Sequence, residues 1–405
     1  MLRRSIEYAV AARQWVLTHF SRETSSGRFI PEMDGLRFVA ITMVILFHLN
    51  GYLVAKWPLH HSGSLAQSSW LAQTALVGFR GVELFFVISG FILALPFAAQ
   101  HLAGGPAVSL RKYYLRRLTR LEPPYFVTVF VLFFLAVWLQ GKTAADLLPH
   151  LGASLFYLHN LVYAQSSPVI GVAWSLEIEV QFYLLVPLLV LLFTIRRARL
   201  RRGLLIAVIV SLIDVQSFFL MNARAALSIA AYLQFFLIGF LLADFFIADW
   251  KEHPATNAYW DVITLAGWPL TIVLLHSDQL ISWLFPFAIL LLYSAVFRGT
   301  LTRRIFSHRW ITTIGGMCYS IYLIHYEVIS LAGRFTLRLG AGLPYWAYFL
   351  IQLTLTGASV VTICGLYFLL LEKPCMRRDW PQRLRNRWQM LLYPGRSAPE
   401  MNTAA

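Results

Sequence analysis

Long apolar runs separated by short polar, basic segments organise this chain. A membrane-crossing helix needs about 20 mostly apolar residues. Ten stretches meet that requirement: 36–55, 79–98, 122–140, 171–195, 203–220, 227–248, 259–276, 279–298, 311–332 and 344–371. The pattern predicts an all-α polytopic membrane protein with about ten transmembrane helices. A further stretch, 147–163, is apolar but short and contains His150, His159 and Asn160. It reads as a re-entrant or surface segment, with an eleventh crossing as the alternative. Ile6, Val10, Leu17 and Phe20 recur at near-helical spacing, so residues 2–20 read as an amphipathic helix lying on the membrane surface. Three units follow: a cytoplasmic amphipathic segment at 1–30, a transmembrane domain at 31–375 and a basic, disordered tail at 376–405.

Composition agrees. Of the 405 residues, 58% are hydrophobic and 13% charged, against roughly 25% charged in soluble domains. Mean hydropathy is +0.63. These values exclude a soluble enzyme, a disordered chain and a disulfide-rich secreted domain. The net charge of +15 has a topological reading. Of 34 Lys and Arg, 28 fall in 1–37, 98–121, 196–202, 249–259, 298–310 and 372–405. Those segments share one face if the N-terminus is inside, which predicts N-in, C-in and an even number of crossings. The weakest of them is 249–259, where Lys251 is alone. The basic excess therefore serves topology and no nucleic-acid partner is read from it. Arg3, Arg4, Arg13, Arg22 and Arg28 interrupt the first thirty residues, so no cleavable signal peptide is read there. Cys318, Cys364 and Cys375 fit neither zinc nor redox spacing, and no metal site is expected.

Ionisable groups inside a crossing helix are costly, so each one is a functional candidate. In the first stretch Arg37 precedes His48 by eleven residues, about three turns and about 16 Å, which puts both on one face. A topology anchor and a packing histidine would look the same. In the fourth, Trp174-Ser175-Leu176-Glu177-Ile178-Glu179 places Glu179 about 12 Å from the outer boundary. His48 lies about 14 Å from that boundary in a core of about 30 Å. Equal depth would let the carboxylate bond the imidazole and raise its basicity. Glu177 points the other way, and a structural ion pair with an outer-loop arginine is its alternative. Lys112, Arg116 and Arg120 recur at i, i+4 and i+8, with Arg117 three before Arg120. Arginine forks suit phosphates, and lipid headgroups would also fit them. Glu83 lies near the start of the second stretch, three after Arg80, with which it can simply pair. Gly81, Ser89 and Gly90 permit close helix packing there. Tyr322 and His325 share a face of the ninth stretch, lining an acceptor cavity or sitting in the interfacial aromatic belt. Asp214 reads as buried, with no role beyond a partner or a proton path.

Together these stretches resemble the acyltransferase 3 family of integral membrane acyltransferases. The resemblance rests on Asp34-Gly35-Leu36-Arg37 with His48, on 81–91, on Arg116-Arg117 with Arg120 and Pro123, on 174–183, on 319–325 and on Glu372-Lys373-Pro374. The motifs run in order from residue 34 to 374. Glu122 and the doubled Pro123-Pro124 depart from the usual pattern, as does Val180. The resemblance implies an enzyme, a membrane O-acyltransferase in the bacterial inner (plasma) membrane. Its donor would be a cytoplasmic acyl-CoA, usually acetyl-CoA, and its acceptor a hydroxyl of a saccharide or lipid-linked saccharide on the outer side. His48 is then the essential histidine, with Glu179 as its carboxylate, both catalytic. Arg37, Arg116, Arg117 and Arg120 would hold CoA phosphates. Glu83, Trp174, Tyr322 and His325 would face the acceptor. A proton-coupled transporter or flippase is the other class these features fit, although no inverted repeat is visible. A non-catalytic scaffold would have no use for a buried imidazole–carboxylate pair.

Overall fold

A computed structural model describes residues 14–15, 17–23, 29–56, 69–275, 279–340, 342–377, 380, 382–383 and 385. Most of the expected surface helix at 2–20 and of the expected disordered tail lies outside the described residues. The labelled helices are α1 (Pro31–Lys56), α2 (Gly81–Leu102), α3 (Leu110–Gln140), α4 (Trp174–Leu189), α5 (Ala198–Met221), α6 (Leu233–Asp244), α7 (Ala258–Leu274), α8 (Gln279–Arg298), α9 (Arg309–Gly316), α10 (Cys318–Thr336) and α11 (Tyr345–Tyr367). No strand occurs among the described residues.

Six helical stretches among the described residues are long and apolar enough to cross a membrane. They are Pro31–Lys56, Trp70–Leu102, Leu110–Gln140, Gly171–Thr194, Ala198–Met221 and Tyr345–Met376, and two shorter apolar helices are Ala258–Leu274 and Trp283–Arg298. The remaining two predicted stretches are helical but interrupted. The stretch 227–248 begins irregularly and forms α6 only from Leu233, continuing as a π-turn at Phe245–Asp249. The stretch 311–332 breaks at Met317 between α9 and α10. Packing explains the break: a Cβ on Gly315 would lie 1.8 Å from the carbonyl oxygen of Asp34. The two backbones touch there, and α9 must turn aside before α10 rises. Trp138, Phe218, Met221, Phe335 and Leu370 are each more than 70% exposed. Such side chains on the outer surface need a lipid solvent, as expected of an integral membrane protein.

Glycines set the closest crossings. A Cβ on Gly90 of α2 would meet the Phe236 carbonyl oxygen at 2.1 Å, and one on Gly239 of α6 would meet that of Val87 at 2.3 Å. Gly81 lies equally close to α1, at 2.6 Å from the Ala40 carbonyl oxygen. These small residues let helix backbones approach without a hydrophobic driving force between them. Around the α2–α6 crossing, Phe182 stacks on Phe236 and Phe193 on Phe240, at 4.0 and 5.5 Å between centroids.

The 147–163 segment forms two short helices, Ala144–Leu155 and His159–Tyr163. Neither has the roughly 20 residues that a crossing needs. The turn between them carries Tyr157 into the fold, in left-handed backbone at φ 57°. Its ring stacks on Tyr125 of α3 at 4.7 Å, and Tyr125 in turn donates to the Ser154 carbonyl at 2.9 Å. Asp214 is not buried: it sits exposed on α5 and accepts from Trp283 Nε1 at 3.2 Å. The helix face that carries it looks outward, since only every fourth residue of α5, from Arg201 to Ile213, is buried.

Candidate active site

Three helices frame the candidate residues. α1 and α10 run side by side in the same direction: Arg37 faces Cys318, His48 meets His325, and Tyr52 donates to the Ser330 carbonyl at 3.3 Å. α4 runs the opposite way, with Ser175 beside Tyr322 and Glu179 facing Arg37. The end of the bundle where α1 begins is the basic end.

Far from that end, His48 and His325 form a hydrogen-bonded pair. His325 Nδ1 lies 2.9 Å from the carbonyl oxygens of both Ile321 and Tyr322. Carbonyls only accept, so Nδ1 carries the proton and Nε2 of the neutral ring is an acceptor. That Nε2 is 3.0 Å from His48 Nδ1. His48 Nδ1 also lies 3.1 Å from the Val44 carbonyl oxygen. Both partners demand a donor, so His48 carries its proton on Nδ1 and leaves Nε2 with a lone pair. The fold thereby presets the tautomer that a general base would need. His48 borders a cavity of about 510 Å³, which Phe47, Tyr52 and Tyr326 line with aromatic rings and Lys56 reaches from the helix end.

Glu179 occupies a different level. Its Oε1 accepts from Ser89 at 2.5 Å, and its charged neighbours are Arg37 and Arg117. The α4–α10 contact gives the heights. Ser175 Oγ meets the Tyr322 hydroxyl at 3.0 Å. From that contact Glu179 is one turn, about 6 Å, toward the basic end, and His325 is about 4.5 Å the other way. Glu179 thus lies about 10 Å below the histidine pair. The expected equal depth fails because the height of α4 is set by its contact with Tyr322, and not by a count of residues from an assumed membrane boundary. The partner that sequence reasoning missed is His325. Its signal was present, since both histidines sit at comparable heights on helices running in one direction.

The arginines divide. Arg117 turns inward, donating to the Tyr113 carbonyl at 2.8 Å, with its guanidinium 3.6 Å from the Tyr113 ring centroid. Arg120 is half-buried, whereas Lys112 and Arg116 are exposed, so the i, i+4, i+8 face is not one surface. Arg37 and Arg22 both bond Asp34 Oδ1, the latter at 3.0 Å. Glu372 accepts from Ser320 Oγ and N at 2.5 and 2.9 Å and faces Arg120. The Nε atoms of Arg22 and Arg120 and Glu372 Oε1 are buried with no hydrogen-bond partner. Guanidinium N–H groups left unsatisfied among packed side chains suit an anion of phosphate type.

The acceptor-side candidates are already engaged. Glu83 is chelated by Arg80 Nη1 at 2.9 and 3.1 Å. Trp174 packs on Tyr232 at 5.9 Å. The Tyr322 hydroxyl donates to the Val172 carbonyl at 2.5 Å and accepts from Leu176 N at 3.2 Å, tethering α10 to the start of α4. Glu177, offered an outer-loop arginine, instead accepts from the Asn160 backbone N–H at 2.7 Å and is buried. It anchors the short helix His159–Tyr163, whose first N–H groups lack intrahelical partners.

Known proteins resemble the chain in sequence. A putative O-acetyltransferase of Staphylococcus aureus (strain COL) is 28% identical over 362 residues, covering 82% of this chain and 56% of the relative. O-acetyltransferase OatA of Staphylococcus aureus (strain NCTC 8325 / PS 47) is 26% identical over 360 residues, covering 82% and 55%. The chain spans about half the length of these curated relatives. No solved structure matches. The family profile described as an acyltransferase domain matches residues 30–368, and with it the chain belongs to the acyltransferase 3 family.

Proposed function

We propose that the protein transfers an acyl group, most simply acetyl, from acyl-CoA to a hydroxyl of a saccharide or lipid-linked saccharide. One observation carries this reading: His48 has its Nδ1 proton fixed by His325 and Val44, and it stands between a basic end and an aromatic cavity. The basic end is the cytoplasmic one, in a ten-crossing N-in, C-in bacterial inner-membrane protein, as the bias of Lys and Arg favours. The names of the relatives supply the group transferred.

CoA is a substrate in this account. Its phosphates would be held by Arg37, Arg117 and Arg120, with Arg116 at the exposed rim. The pantetheine arm would rise past Glu179 toward His48, about 16 Å above Arg37. The aromatic rings around the cavity suit the apolar faces of a sugar. His48 Nε2 takes the proton from the acceptor hydroxyl as its oxygen bonds the thioester carbon. The C–S bond breaks, and the leaving thiolate takes that proton from the imidazolium. During the step His325 Nε2 keeps accepting from His48 Nδ1 and stabilises the positive ring. Glu179 belongs in this scheme to the donor path, beside Arg37 and Arg117.

Vesicles containing purified protein test both chemistry and sidedness. Acetyl-CoA labelled in the acetyl group is expected to be consumed only from the face bearing the basic end, with label appearing on a saccharide supplied at the other face. Proton-coupled uptake of saccharide without thioester cleavage would replace this reading by transport.

A further inference from the structure

Arg22 is used by none of the roles above. It precedes α1, in a segment whose sequence suggested only a surface helix. Yet the segment is pinned beneath the bundle. Phe20 packs where a Cβ on Gly365 would come within 2.9 Å. Lys373 Nζ donates to the carbonyls of Thr18 and His19, and Arg377 pairs with Glu23 at 3.1 Å. From the other flank, Trp380 Nε1 donates to the Thr119 carbonyl at 2.9 Å, next to Arg120. The chain on either side of the membrane domain thus builds a floor under the arginines.

Arginines crowd this floor and share its carboxylates. Arg22 and Arg37 share a single oxygen of Asp34. Arg120 faces Glu372, while Arg37 also faces Glu179. Arg22 thus shares Asp34 with Arg37 and Glu372 with Arg120, and has both of those arginines as neighbours. Burial first, then Arg37 and Arg120, push its guanidinium well below the usual arginine range, to about 9. Its Nε and that of Arg120 are buried without partners. A cation in that position gains from any anion that enters, because burial strengthens the pair and removes competing water.

We propose that Arg22 is a donor-binding residue: carried in by the segment ahead of α1, it grips a phosphate of acyl-CoA together with Arg37 and Arg120. The inference rests on the transferase reading and adds to it a binding group outside the membrane helices. It also makes the segment before α1 part of the site.

The test compares donors. Acetyl-CoA, acetyl-dephospho-CoA (without the 3′-phosphate) and acetyl-pantetheine (without any phosphate) are assayed with wild-type protein and with Arg22→Gln and Arg22→Lys. Arg22→Gln is expected to raise KM for acetyl-CoA by ~10-fold or more, the worth of one charge-assisted hydrogen bond. Its kcat stays within ~2-fold, and Arg22→Lys recovers part of the loss. With acetyl-pantetheine the three proteins should have the same KM. The dephospho donor tells which phosphate is held: a penalty that persists with it places Arg22 on the diphosphate, and one that vanishes places it on the 3′-phosphate. An equal penalty with acetyl-CoA and acetyl-pantetheine would show Arg22 to be structural and overturn the proposal, as would no penalty at all. Wild-type protein inert toward all three donors would remove the transferase reading itself, and this site with it.

Discussion

His48→Ala protein is expected to insert and remain folded yet transfer acyl groups ~10²–10⁴-fold more slowly, the usual worth of a positioned general base. The structural cost is small because His48 borders a cavity and its hydrogen bonds are local or to His325. The chemical cost is large because no other group in contact with it has the same electronic state. His325 has both carbonyl contacts on Nδ1 and cannot present a lone pair to the cavity while its Nε2 faces His48. Initial rates with purified protein, alongside thermal unfolding to confirm the fold, check this. Wild-type-like turnover in a folded His48→Ala protein would remove the imidazole from the mechanism.

The largest effect on stability is expected at Asp244. This carboxylate is fully buried at the end of α6 and receives Nε of both Arg201 and Arg202, the second at 2.7 Å. Arg201 is itself 1% exposed, and Arg202 continues to Asp249 at 2.7 Å. Asp244→Ala would strand a guanidinium among packed side chains, at a cost of about 3–5 kcal/mol. Thermal unfolding in detergent should show a clearly lowered midpoint. An unchanged midpoint would mean that α5 and α6 are joined by their apolar contacts alone.

Much of this architecture was legible because length and apolarity decide where helices form in lipid. Among the described residues all ten stretches contain helix, and six lie in helices long and apolar enough to cross a membrane. What hydropathy does not carry is interruption: the break at Met317 is dictated by Gly315 meeting the backbone of Asp34, a contact between residues some 280 positions apart. The close-packing glycines Gly81 and Gly90 were readable, because a missing Cβ in a crossing helix has few other uses. The site was legible in its residues more than in its pairings. His48, Arg37 and the Arg117–Arg120 pair stand out as costly groups, and Arg37 does lie at the basic end below His48. The partner of His48 was misassigned because depth was counted from assumed helix ends. The contact of Ser175 with Tyr322, which a residue count does not supply, sets Glu179 about 10 Å toward the basic end from the histidine pair. Glu177 shows the same limit: its partner is a backbone N–H, which no side-chain inventory reveals. Arg22 reads in the sequence only as a topology signal, being an arginine ahead of the first crossing helix. Only the fold brings it to Asp34.

The central claim is that His325 acts through His48. The most direct measurement is the cycle of His48→Ala, His325→Ala and the double variant, read as kcat/KM for transfer. His325→Ala alone is expected to lower kcat/KM by ~10-fold or more, through loss of the hydrogen bond that fixes the tautomer. On the His48→Ala background the same change should cost almost nothing, since the ring it positions is gone. Losses that multiply in the double variant would show that the two histidines act independently and would contradict the account.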